Sequence, residues 1–142
     1  MNHLFGSKMY MSGPIEFCGD INWRNEPKKI LSERFGINIF DPFEDPKQQW
    51  SHVLQEAKKK NDFETIVRVS RCFVRKDLCM VDRADFVIAY LPQNVQTTGT
   101  VHEIINSNSA KKPTLLVTNA DSKSGIPLWY FGFIPEEFIF AG

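Results

Sequence analysis

Three side chains in this sequence carry groups suited to act together on one bond: Glu103, Asp77 and Tyr10. Glu103 follows an apolar run, Phe86 to Leu91, which Pro92 stops, and a polar loop from Gln93 to Thr98. Gly99 and Thr100 then open a helical pattern that is expected to carry Glu103 in its first turn. Tyr10 lies in a short apolar run, Lys8 to Ser12, closed by Gly13-Pro14. Asp77 falls on or beside the apolar side of a helical pattern, where a carboxylate is costly unless it is paired or used. Two carboxylates and a phenol suit attack at an anomeric carbon. One carboxylate can attack or stabilise a centre with oxocarbenium character, while a second acid or a water handles the leaving group's proton. A helix N-terminus would favour Glu103 as the anion. Tyr10 could hydrogen-bond Glu103 and fix its orientation.

These groups meet only if the elements that carry them end at one edge. Lys8 to Ser12, Ile37 to Phe40, Phe86 to Leu91 and Thr114 to Val117 read as strands, with Glu137 to Phe140 as an edge strand. Helical patterns fall between them: about Glu26 to Phe35 with Asn25 as N-cap, Pro46 to about Lys60, Phe63 to Met80, and Thr98 to about Ser109. In the longest of these, Phe63, Ile66, Val67, Ser70, Val74, Asp77, Leu78 and Val81 fall near one face. In the first, Ile30, Leu31 and Phe35 share a side. Ile126 to Gly132 is a short aromatic segment. Alternating strands and helices imply βαβ units: a parallel sheet of four or five strands with helices on both faces. Ligands of open α/β sheets bind at the carboxyl ends of the strands. There the chain would bring together Tyr10 to Pro14, Asp41 and the segment Gln93 to Glu103, with Asp77 within reach.

The rest of the composition narrows the function. The chain of 142 residues fits one domain, 1–142, and its 42% hydrophobic content fits an ordinary globular protein. Seventeen basic and seventeen acidic residues cancel, so nothing suggests a polymeric nucleic acid partner. Neither G-x-x-x-x-G-K-[ST] nor G-x-G-x-x-G is present, which argues against an NTPase or a dinucleotide enzyme. Cys18, Cys72 and Cys79 lack metal-ligand spacing and read as reduced thiols of a cytoplasmic protein. The opening residues, MNHLFGSKMYM, have no long apolar region behind a basic start and do not read as a signal peptide, and no apolar run reaches the ~20 residues of a membrane helix.

The motifs resemble those of the nucleoside 2-deoxyribosyltransferases and related N-glycoside hydrolases. Tyr10-Met11-Ser12-Gly13-Pro14 is similar to the family's opening motif, and Asp77-Leu78 followed by Asp85 to Ala89 to its next. Gly99-Thr100-Val101-His102-Glu103 resembles its Gly-(Thr/x)-x-x-Glu, and Ile126-x-Leu128-x-x-x-Gly132 its late segment. The resemblance implies a flavodoxin- or Rossmann-like three-layer sandwich. It also implies a homo-oligomer with shared active sites, a nucleoside or nucleotide substrate and no cofactor or metal. Glu103 would be the nucleophile, Tyr10 would orient it, and Asp77 would contact the sugar or assist proton transfer. Ser12, Gly13, Pro14, Asp41, Gly99 and Thr100 would line the substrate site.

Two departures alter the expected base recognition. Thr97 stands where the transferases commonly carry an acid, and Trp129 could stack on a base or plug the pocket. Arg24 would suit a substrate phosphate. The expected activity is cleavage of an N-glycosidic bond with transfer to another base or to water. The runners-up are a phosphoribohydrolase of the lysine-decarboxylase-like type and a non-catalytic nucleotide-binding module. Structural roles compete at each position: Glu103 as a first-turn acid, Asp77 as a cap or ion-pair partner, Tyr10 as core, Asp41 as a turn former, Arg24 as a surface charge, and Trp129 as a core or interface aromatic.

Overall fold

The computed structural model describes residues 2–15, 22–44 and 47–142, without the side chains of 47–50. Cys18 and the expected helix start at Pro46 lie outside the described residues. The strands are β1 (Lys8–Ser12), β2 (Asn38–Phe40), β3 (Phe86–Tyr90), β4 (Thr114–Thr118) and β5 (Ile139–Ala141). All pair in parallel, in the order β2-β1-β3-β4-β5. This is the doubly wound order whose direction reverses between β1 and β3, and a crevice opens beyond the carboxyl ends of those two strands. Their register sets Tyr10 beside Val87 and Ser12 beside Ala89.

The central strands are apolar on both faces because helices cover both. On one face Tyr10, Val87, Ala89, Ile104 and Leu116 pack together with Val81. On the other, Met9, Met11 and Ile37 pack with Trp23, Leu31, Phe86 and Ile88. The alternation along β1 therefore sends Tyr10 and Ser12 to the first face, and Met9 and Met11 to the second.

The helices are α1 (Asn25–Phe35), α2 (Lys47–Lys59), α3 (Phe63–Arg83), α4 (Thr98–Ser109) and the short α5 (Leu128–Phe131). Asn25 is not the N-cap of α1. A 3-10 turn, Asn22–Arg24, runs straight into the helix, leaving Arg24 in helical backbone at the cap position with no side-chain cap. Of the three apolar residues expected on one side of α1, Leu31 packs on the core, while Ile30 and Phe35 are exposed. Gly36 closes α1 at φ 66°, donating to the Leu31 and Ser32 carbonyls.

The buried side of α3 also differs from expectation. Val69 and Val81 are buried, with Ile66, Phe73 and Asp77 partly so, whereas Phe63, Val67 and Val74 are exposed. Asp62 caps α3 by accepting from the Thr65 amide at 3.1 Å. The Lys112 ammonium donates to the Val81, Asp82 and Ala84 carbonyls at its other end, a cation at the negative pole of the helix. Asp85 accepts from the Lys8 amide at 2.7 Å and so pins the start of β3 to β1. Among the described residues no helix is long and apolar enough to cross a membrane.

Candidate active site

The face of the sheet that carries Tyr10 is covered by α3 and α4. Tyr10 is fully buried on β1, and Glu103 is 9% exposed on α4. Burial, then the negative charges of Glu103 and Asp77, push the Tyr10 hydroxyl well above its ordinary range, and Arg24 opposes the shift. The phenol is thus held neutral between carboxylates from two helices. It lies within hydrogen-bonding reach of Glu103, without a well-aligned bond. Three residues distant in sequence, Tyr10, Asp77 and Glu103, therefore converge beside the β1–β3 crevice.

Glu103 is not in the first turn of its helix. α4 begins at Thr98, with Thr97 at the N-cap position, so Glu103 falls in the second turn. A helix-end field fades within one turn. The carboxylate's environment is accordingly set by its burial and its neighbours more than by the helix terminus.

Ser12, on the same face as Tyr10, is fully buried, and its hydroxyl has no hydrogen-bond partner among the described residues. Pro14 and Thr100 are buried, and Thr97 is partly buried. Gly99 is exposed, with open space where a side chain would project. Trp129 is 80% exposed on α5, so it does not plug the chain's own pocket. No group of three or more His, Cys, Asp or Glu among the described residues is arranged to hold a metal ion.

Arg24 and Asp41 form a separate buried cluster. One terminal nitrogen of Arg24 donates to Asp41 Oδ1 at 2.8 Å and to the Met11 carbonyl at 3.0 Å. The other donates to the Gly13 carbonyl at 2.9 Å. Lys28 lies 2.9 Å from Asp41 Oδ2 and 2.6 Å from Glu44 Oε1. Burial works to lower the Lys28 pKa, but hydrogen bonds and charges from Glu44 and Asp41 outweigh it and raise the pKa. Arg24 is 1% exposed, so an exposed surface charge is ruled out.

Sequence reasoning missed Trp23. Its ring lies 4.7 Å from that of Tyr90, centroid to centroid, and the Arg24 guanidinium sits 4.6 Å from the Trp23 ring centre. A Cβ on Gly13 would fall 2.3 Å from Trp23 Cζ2. The available signal was Gly13 itself, whose missing side chain leaves room for a large neighbour.

A family model described as nucleoside 2-deoxyribosyltransferase matches residues 9–137. The chain belongs to the nucleoside 2-deoxyribosyltransferase family. Like its strand order, a solved structure supports the family fold. A 2-deoxyribosyltransferase from the psychrotolerant bacterium Bacillus psychrosaccharolyticus superposes with a TM-score of 0.63 at 21% identity. The match covers 90% of this chain and 82% of that one. The comparison with curated proteins yields no match. The segment Gly99-Thr100-Val101-His102-Glu103 lies in the first two turns of α4, and its last residue, Glu103, is buried.

Proposed function

We propose that the protein cleaves the N-glycosidic bond of a deoxynucleoside or its 5′-monophosphate through a covalent intermediate on Glu103. The observation that carries this reading is the meeting of Glu103, Tyr10 and Asp77 beside the β1–β3 crevice of a chain in this family. A Glu103 oxygen attacks the anomeric carbon as the bond to the base breaks. The departing base takes a proton from water or from an acid near it. A second base, or water, then attacks the same carbon and releases Glu103. Tyr10, kept neutral by its surroundings, donates toward Glu103 and orients it. Asp77 contacts the sugar or assists proton transfer. Ser12 supplies a buried hydroxyl to the substrate. Thr97, Gly99 and Thr100 border the base side, where Thr97 replaces the acid common in the transferases. Exposed Leu128 and Trp129 fit a segment that completes a neighbouring subunit's site in a homo-oligomer.

The test is a panel of deoxynucleosides and their 5′-monophosphates, each with and without adenine as acceptor. A new nucleoside in the presence of adenine identifies transfer, and free base without acceptor identifies hydrolysis. Binding of substrates that all remain intact would overturn the catalytic reading in favour of a binding module.

A further inference from the structure

We propose that Arg24 is a positioning residue that acts on the active site through the backbone of β1. The anion expected to engage Arg24 from the sequence was a substrate phosphate. In the fold the guanidinium is instead held by Asp41 and is directed at two carbonyls, those of Met11 and Gly13. These carbonyls flank Ser12, two residues beyond Tyr10, where β1 ends and its turn begins. A planar fork of donors can bridge both while also engaging a carboxylate, which a point charge cannot do. Asp41, steadied by Lys28, keeps the fork in place. Trp23 covers it, its ring over the guanidinium and tilted at 50° against Tyr90 at the end of β3, with its edge on Gly13. The cluster thereby ties together the ends of β1, β2 and β3, the strands that flank the crevice. It fixes the path on which Tyr10 and Ser12 stand without touching the substrate.

A buried ion pair of this kind is a weak source of net stability. Apolar residues of similar volume can replace the pair of charges and keep the chain folded, while leaving the Met11 and Gly13 carbonyls without this donor. They would not hold two carbonyls at a set angle. This separates positioning from structure, and its kinetic arm rests on the glycosyl-transfer reading above.

The experiment compares wild type, Arg24→Lys and the double variant Arg24→Met with Asp41→Leu. Each is examined for thermal melting, for amide hydrogen exchange of the peptide covering residues 9–13, and for steady-state kinetics on the best nucleoside found. The double variant is expected to stay folded but to melt below wild type, because the Met11 and Gly13 carbonyls lose their donor. Arg24→Lys keeps a cation beside Asp41 and so remains folded. In both, residues 11–13 should exchange at least about tenfold faster. Displacement of positioned groups by a fraction of an ångström should cost kcat about tenfold to a hundredfold, with KM much less affected. Wild-type exchange in a folded Arg24→Lys protein overturns the proposal whatever the activity. So does a double variant with wild-type kcat. If wild type turns over no nucleoside, the glycosyl-transfer reading fails, and the exchange arm still decides the role of Arg24.

Discussion

Two groups of buried polar side chains stand near the ends of the same strands and are organised in opposite ways. Beside α1, Arg24 and Lys28 surround Asp41, and the Arg24 donors also reach the Met11 and Gly13 carbonyls. Under α3 and α4, carboxylates from two helices act on a phenol that they help to keep neutral. The first arrangement offsets the cost of burial by pairing opposite charges with good geometry. The second places acidic groups together, where ionisation of one disfavours ionisation of the next. Such a grouping is what nucleophilic and acid–base chemistry uses. The difference teaches that burial of a charged residue does not by itself mark a functional site. The sign and arrangement of its neighbours do.

Substitutions should therefore break the two groups in different ways. The largest effect is expected at Glu103. Glu103→Gln or Glu103→Ala should lower turnover by at least about a thousandfold, as loss of a nucleophile does. Circular dichroism should show the fold intact and the melting temperature not lowered. At the other group, removing one partner of the ion pair should cost stability first, with a smaller loss of turnover. Asp41→Leu alone leaves Arg24 buried without its carboxylate, and should cost about 3–5 kcal/mol in urea unfolding. Full stability with lost activity in that variant would move Arg24 and Asp41 into the substrate site.

Gly13→Ala is expected to come next. Its Cβ would meet the Trp23 ring at 2.3 Å, and the overpacking should cost about 1–3 kcal/mol. Tyr10→Phe should be milder and of mixed sign. Removing a buried hydroxyl that lacks a well-aligned partner should leave stability unchanged or about 1 kcal/mol higher, while turnover falls about fivefold or more.

The two groups also share a pH signature. Folding raises the pKa of Tyr10 and of Lys28. The contribution of each is complete below its unfolded pKa, about 10 for both, and is lost as the pH rises above it. Tyr10→Phe and Lys28→Met should each flatten the alkaline fall in urea stability. An unchanged alkaline limb in both would contradict the assigned environments.

Much of the fold was legible because short apolar runs bounded by Gly and Pro signals read as buried parallel strands. β1, β3 and β4 read that way, and Glu103 could be placed on the helix after β3. What was not legible depended on contacts across space. In α3, apolar residues occupy two stripes at helical spacing, and periodicity cannot tell which one faces the sheet. The exposed Phe63, Val67 and Val74 share that spacing with buried residues. Arg24 looked like a ligand for phosphate because its partner, Asp41, lies 17 residues away at the end of another strand. Trp23 carried no motif, and its importance emerges only from the close approach of its ring to Gly13. Glu103 stands in the second turn and not the first because a turn holds only about 3.6 residues and the helix begins five residues earlier, at Thr98, where the sequence pattern also placed its start.

The central claim is that Glu103 becomes covalently attached to the sugar. Incubation with a 2-fluoro-substituted deoxynucleoside, followed by intact-mass measurement and peptide mapping, tests it directly. The account predicts a single added fluorodeoxyribosyl group on the peptide containing Glu103, absent from Glu103→Gln. A label on another residue, or release of the base by a Glu103→Gln protein at the wild-type rate, would contradict it.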